Sequence, residues 1–131
     1  MKDQVRKLAE YRFSQAEETL AAAKKLQAEG YYRDAVNRAY YAMFYCGLGL
    51  LATRELGSSK HSGVLSQFSL HFVKTGLFSK ESGRYLREAF ELRQRCDYRE
   101  FVEIQQEQVN EVIQHAEKFM HESRELLTRL N

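Results

Sequence analysis

Arg93 is the residue whose position most needs a chemical explanation. In the run LREAFELRQRCDY, Leu86, Ala89 and Phe90 recur at three- and four-residue spacing, and the next place on that inward line falls to Arg93. A helix does not aim a guanidinium at an apolar interior without a partner, because an unpaired buried charge is very costly. Two readings follow. Asp97, four residues on, shares the helix face and can close a structural ion pair with Arg93 at the end of a bundle. Alternatively, Arg93 faces a cleft that an anion or phosphate enters. Arg95 and Arg99 would add positive field there, although arginines of this kind are usually solvated.

A second irregularity lies upstream. Asp34, Asn37, Arg38, Tyr41 and Tyr45 form a polar and aromatic stripe at helical spacing, and five of the eight tyrosines fall between positions 31 and 45. A tyrosine has an apolar ring and a polar tip, so such a stripe can cap the edge of a core, form a homodimer face or contact a nucleotide. His61 follows Lys60 at the start of another helical segment. Ser58, Ser59 and Ser62 are possible caps for that segment, whose backbone N–H groups would attract anions.

Other chemistries find little footing. His115 and His121 are six residues apart and sit on different faces of one helix, so they make no zinc pair, and no metal-type spacing occurs elsewhere. No serine–histidine–aspartate or cysteine–histidine arrangement can be read. Cys46 and Cys96 read as small core residues, and the expectation is no metal and no cofactor. Gly47 and Gly49 read as points of close helix packing or of backbone approach to a ligand; GLG follows no strand, so it is not a dinucleotide fingerprint.

The elements that must position these residues are helical. The 131 residues include 44% hydrophobic and 29% charged, no proline and only 7 glycines, a composition that disfavours a loop-rich or sandwich fold. Gly30, Gly57 and Gly76 fall where helix C-termini place left-handed residues. They mark three of the breaks between five helical segments, near 3–29, 31–56, 62–75, 80–96 and 104–130. The first carries Ala9, Phe13, Ala16, Leu20 and Ala23 on one line. The second carries the strongest periodicity, from Tyr32 through Ala35, Val36, Ala39, Tyr40, Met43, Phe44, Gly47 and Leu48 to Leu51. The fold class is therefore all-α, an up-down helical bundle of about five helices forming one domain over 1–131, with consecutive long helices antiparallel.

A net charge of +2 excludes a strongly polycationic nucleic-acid binder, though not a local basic patch. The N-terminus is charged and polar, and the longest apolar stretch, 39–52, is too short and polar to cross a bilayer. With two cysteines and no disulfide framework, the expectation is a soluble, cytoplasmic protein with reduced thiols and no membrane contact.

Three segments together, NRAYYAMFYCGLGLL, KHSGVLSQFSLHFVKTG and LREAFELRQRCDY, resemble the signature segments of HEPN-domain proteins, in particular the small single-domain group encoded beside a minimal nucleotidyltransferase. The resemblance spans about Arg6 to Leu127. It implies a helical bundle, usually homodimeric, with a link to nucleotides or RNA. The family includes metal-independent ribonuclease toxins for which the nucleotidyltransferase is the antitoxin. Those ribonucleases carry Arg, a polar residue and then His four to six residues after the Arg. Arg93 and Gln94 match the first part, but no His occurs among Arg95, Cys96, Asp97, Tyr98, Arg99 and Glu100. Paired toxins also offer a tyrosine just after that His for adenylylation by the partner, and Tyr98 stands close to that place.

The expected function is a nucleotide- or RNA-associated interaction module, homodimeric, partnered by a minimal nucleotidyltransferase in a toxin–antitoxin-type pair. Its ligand or interface residues would be Asn37, Tyr41, Tyr45, Lys60, Arg93, Asp97 and Tyr98. The alternatives are a metal-independent ribonuclease toxin, with Arg93 stabilising the transition state and Asp97 or His61 standing in for the missing His, and a purely structural dimer.

Overall fold

The computed structural model describes residues 1–98 and 103–130, apart from the Tyr98 side chain, and within them the fold is all-α. Helix α1 covers Asp3–Ala28, α2 Tyr32–Ala52, α3 His61–Phe68, α4 Lys80–Tyr98 and α5 Gln106–Leu130, and a π-helical turn, Ser69–Val73, extends α3. Helix α2 is the centre of the bundle and packs against α1, α3, α4 and α5. Its continuous apolar stripe explains why: most of its residues from Ala35 to Ala52 are buried.

Helices α1 and α2 are antiparallel. Gly49, near the end of α2, lies against Ala9 and Phe13, near the start of α1. A Cβ at position 49 would stand 2.8 Å from Phe13 Cε2 and 3.3 Å from the Ala9 carbonyl oxygen, so this glycine serves close helix packing. Helix α5 is antiparallel to α1 in turn. Lys24 reaches Glu117 at 3.2 Å, and Arg124 pairs with Glu10 at 3.3 Å and with Glu17 while its guanidinium lies 4.8 Å over the Phe13 ring. The lower core is a cluster of phenylalanines. Phe68 stands 5.4 Å from Phe72, 5.0 Å from Phe78 and 5.6 Å from Phe119, and all four rings are buried.

The third segment departs from the expected single helix. After Phe68 the ladder widens, and the Lys74 N–H bonds the Ser69 carbonyl five residues back at 2.8 Å. The extra residue in the turn accompanies the seating of Phe72 beside Phe68 in the core. Nor do the serines cap α3. Lys60 is the N-cap residue and makes no side-chain cap bond, while the Ser58 hydroxyl accepts from the Lys60 N–H at 3.2 Å in the preceding turn.

Helix α2 ends at Ala52, four residues before the expected Leu56, and its left-handed residue is not Gly57 but Glu55, at φ 57°. Gly30 and Gly76 take left-handed φ as expected, at 85° and 84°. A side chain at such a φ costs about 1–2 kcal/mol. Glu55→Gly is therefore expected to raise stability by about 0.5–1 kcal/mol, after the extra chain entropy of glycine is deducted. The exposed Lys2–Glu55 pair, at 3.7 Å, offsets little of this. Thermal melts of the two proteins check it; an unchanged or lower Tm contradicts it.

Candidate functional site

Helix α4 turns Ser82, Tyr85, Leu86, Ala89 and Cys96 into the bundle. Arg93 lies on the same face and is carried inward, its side chain only 16% exposed. It points at α2. Its guanidinium carbon stands 5.5 Å from the Tyr40 ring centre and 5.3 Å from that of Tyr41, within cation–π range of both. Asp97 Oδ2 lies 3.1 Å from Arg93 Nε, so the expected i,i+4 ion pair forms. The Nε–H is not directed at that oxygen, however. The buried Nε has a charge partner and no hydrogen bond, and the terminal nitrogens of Arg93 donate none to any described residue. The last turn of α4 is held from α2 by Arg33, whose Nη1 donates to the Cys96 carbonyl at 2.7 Å. A cation at a helix C-terminus is favourable there.

His61, at the first turn of α3, enters the same group of side chains. Its ring stacks on Phe44 at 4.3 Å with 16° between planes and meets Tyr41 edge-on at 5.5 Å. Its Nδ1 is 2.9 Å from the hydroxyl of Tyr40, a residue with no exposed surface. One buried tyrosine thus touches both Arg93, through its ring, and His61, through its hydroxyl.

Of the remaining expected residues, Tyr41 and Tyr45 are half-buried, with ring centres 5.8 Å apart, and they extend the aromatic edge along α2. Asn37 is half-buried on α2, and Lys60 is exposed beside His61. The Tyr98 side chain and Arg99 lie outside the described residues. The expected cleft does not coincide with a cavity of about 890 Å³, which opens between α4 and α5 and is lined by Ala89, Leu92, Arg95, Val112 and His115 rather than by Arg93. Cys46 and Cys96 are buried thiols, and burial pushes Cys46 up to about 12, which suits a core residue and not a nucleophile. His115 stacks on Tyr85 at 3.7 Å, and His121 pairs with Glu125 at 2.6 Å. Among the described residues no group of three or more His, Cys, Asp or Glu is placed to hold a metal ion, and no helix is long and apolar enough to cross a membrane.

Sequence reasoning missed Tyr40, Phe44 and Arg33. Tyr40 carried a signal: a tyrosine on the central core line must bring its hydroxyl to a partner. Phe44 is indistinguishable by pattern from any core aromatic, and Arg33 contacts a residue 63 positions away.

Burial, and secondarily the charge of Arg93, lowers the His61 pKa below its ordinary value. Burial likewise lowers that of His115, against the opposing pull of Glu111 and Glu88. Both imidazoles bind protons less readily folded than unfolded. Their contribution is present above the unfolded pKa of about 6.5 and is lost as pH falls below it. Stability is therefore expected to decline between about pH 7 and pH 5, and His61→Gln with His115→Gln should flatten that decline. Urea melts across this range check it; a double variant with an unchanged slope contradicts it.

Helical packing around an inward arginine, a histidine and a buried tyrosine describes a small all-α domain with a polar centre. The chain belongs to the HEPN domain family, whose model matches residues 9–126. It is 43% identical over 124 residues to a "UPF0332 protein" of Thermotoga maritima, covering 95% of this chain and 94% of the relative. It is 37% identical over 116 residues to "Putative toxin MJ0142" of Methanocaldococcus jannaschii, covering 88% of this chain and 79% of the relative, and 38% identical over 115 residues to "Putative toxin MJ0605" of the same organism, covering 88% and 85%.

Proposed function

We propose that this chain is the toxin-type member of a two-protein pair. In this reading it forms a homodimer, is partnered by a minimal nucleotidyltransferase, and binds the phosphate of a nucleotide or RNA at Arg93. One observation carries the binding reading: a guanidinium held against two tyrosine faces whose terminal nitrogens donate no hydrogen bond to any described residue. Planar donors of this kind suit a phosphate oxygen pair. Asp97 is the internal counter-ion. It keeps the buried charge tolerable while the site is empty and leaves the terminal nitrogens to the ligand. The half-buried Tyr41 lies beside Arg93, and Tyr45 next to Tyr41 extends an aromatic edge on which a base can stack. The toxin names of two relatives support the toxin part of the reading.

Isothermal titration of purified protein with AMP, inorganic phosphate and a short single-stranded oligoribonucleotide tests the site. Co-purification with a nucleotidyltransferase encoded beside it, and light scattering of the isolated protein, test the two partners. The binding reading fails if no anionic ligand binds.

A second reading, metal-free RNA cleavage, is favoured by the arrival of His61 beside Arg93, since such cleavage needs a base for the 2′-hydroxyl and a cation for the phosphorane charge. Incubating the protein with RNA in the presence of a chelator tests it.

A further inference from the structure

The hydrogen bond between Tyr40 and His61 has a direction, and the direction sets what His61 can do. Tyr40 has no exposed surface, and its hydroxyl meets one polar atom among the described residues, His61 Nδ1 at 2.9 Å. Two arrangements are possible. If Nδ1 carried the imidazole proton and donated to the hydroxyl, the phenolic hydrogen would be left buried without an acceptor, which is strongly disfavoured. If the phenol donates to the Nδ1 lone pair, both groups are satisfied, and the neutral imidazole must carry its proton on Nε2. The phenol is suited to the role of donor, because burial holds its pKa well above the usual tyrosine value in spite of Arg93.

The geometry points to His61 as a neutral hydrogen-bond donor whose Nε2–H, fixed by the Tyr40 hydroxyl, joins the terminal nitrogens of Arg93 in binding a phosphate oxygen. Tyr40 is then a positioning residue: it touches the ligand through neither atom nor ring edge, and acts through His61. Stacking on Phe44 at 4.3 Å and the edge of Tyr41 at 5.5 Å hold the ring in its plane, so the tautomer and the aim of Nε2 are set together. Nε2 makes no hydrogen bond to a described residue and is not among the buried unsatisfied atoms. A histidine in this tautomer has no lone pair on Nε2 to take a 2′-hydroxyl proton, so the same geometry weighs for phosphate binding over base catalysis. The ligand chemistry is a phosphate mono- or diester, which a free nucleotide and an RNA backbone share. This inference rests on the phosphate-binding reading given above for Arg93.

Long-range ¹H–¹⁵N spectra of histidine-labelled protein near neutral pH, with the His61 signal assigned by its loss in His61→Ala, test it. The expected result is a proton on Nε2 in the unliganded wild type, with the Nε2 signal moving when AMP or the short oligoribonucleotide is added. A larger response to the oligoribonucleotide names the backbone as source, and a larger response to AMP names the free nucleotide. In Tyr40→Phe the Nδ1–H form should grow and affinity should fall about tenfold, the loss of one charge-assisted hydrogen bond. His61→Gln keeps an N–H at the Nε2 position and should retain affinity within about threefold, whereas His61→Ala should lose about tenfold. A wild-type proton on Nδ1 overturns the inference, as does His61→Gln binding no better than His61→Ala. These outcomes are separate from failure of the Arg93 reading, which would appear as no binding to wild type or as equal binding to Arg93→Ala.

Discussion

Arg93→Ala is expected to weaken binding of AMP or of a short oligoribonucleotide about a hundredfold, equivalent to about 2.7 kcal/mol. The substitution removes two charge-assisted donors that no described residue occupies, and such bonds contribute about 1.5–3 kcal/mol each before ordering costs are deducted. It also removes the cation that balances Asp97, so the carboxylate left behind repels the incoming phosphate. Arg93→Lys separates charge from geometry. Lysine keeps the positive charge but loses the planar fork and the face that lies on Tyr40 and Tyr41, and about a tenfold loss is expected. Titration calorimetry at fixed ionic strength reads both, with circular dichroism to confirm that each variant is folded. Equal affinity in wild type and Arg93→Ala would place the phosphate elsewhere or nowhere.

The largest effect on stability is expected at Phe68. Its ring is 1% exposed and contacts Phe72, Phe78 and Phe119, so truncation opens a cavity at the junction of α3, the π-helical turn and α5. Phe68→Ala should cost about 3–5 kcal/mol. That is a large share of the roughly 5–15 kcal/mol that stabilises an ordinary domain. The effect reaches the polar centre as well. Helix α3 has only eight residues and holds little helix by itself, so Val64 and Phe68 are what pin it to the bundle, and His61 is its first residue. A folded Phe68→Ala or, more mildly, Phe68→Leu protein should therefore lose His61 from Tyr40 before it loses the α1–α2 pair. Urea denaturation gives the stability change, and the His61 NMR signal gives the local one. A loss below about 1 kcal/mol would mean that the phenylalanine cluster repacks around the gap.

How far the sequence carried the reading varies from residue to residue. The inward aim of Arg93 was legible because α4 is regular and one helical period carries the pattern from Leu86 and Ala89 to position 93; the pairing with Asp97 follows from the same period. The buried faces of α1 and α2 follow their apolar lines closely, and Ala9, Phe13, Ala16, Leu20 and Ala23 are all in the core. The helix ends were less legible. Glycine at 57 looks like a terminator, yet the chain turns two residues earlier at Glu55, because the end of a helix is set by where its last face stops finding a partner. The serines before α3 look like caps for the same reason of type, and the backbone path puts Ser58 in the turn instead.

What the sequence determined by itself was everything governed by local period and composition: an all-α bundle, the strong apolar stripe of α2, the core character of both cysteines and the inward line of α4 that carries Arg93. Only the tertiary structure decided which side chains meet. His61 and Arg93 are thirty-two positions apart in sequence, on helices of different length, and the period of neither helix says that the two meet. They come together because the packing of α3 and α4 on α2 brings them to one residue, Tyr40, whose ring lies against the arginine and whose hydroxyl reaches the histidine. Helical period fixes the direction of a residue within its own helix, whereas the pairing of helices depends on the whole set of faces being buried at once.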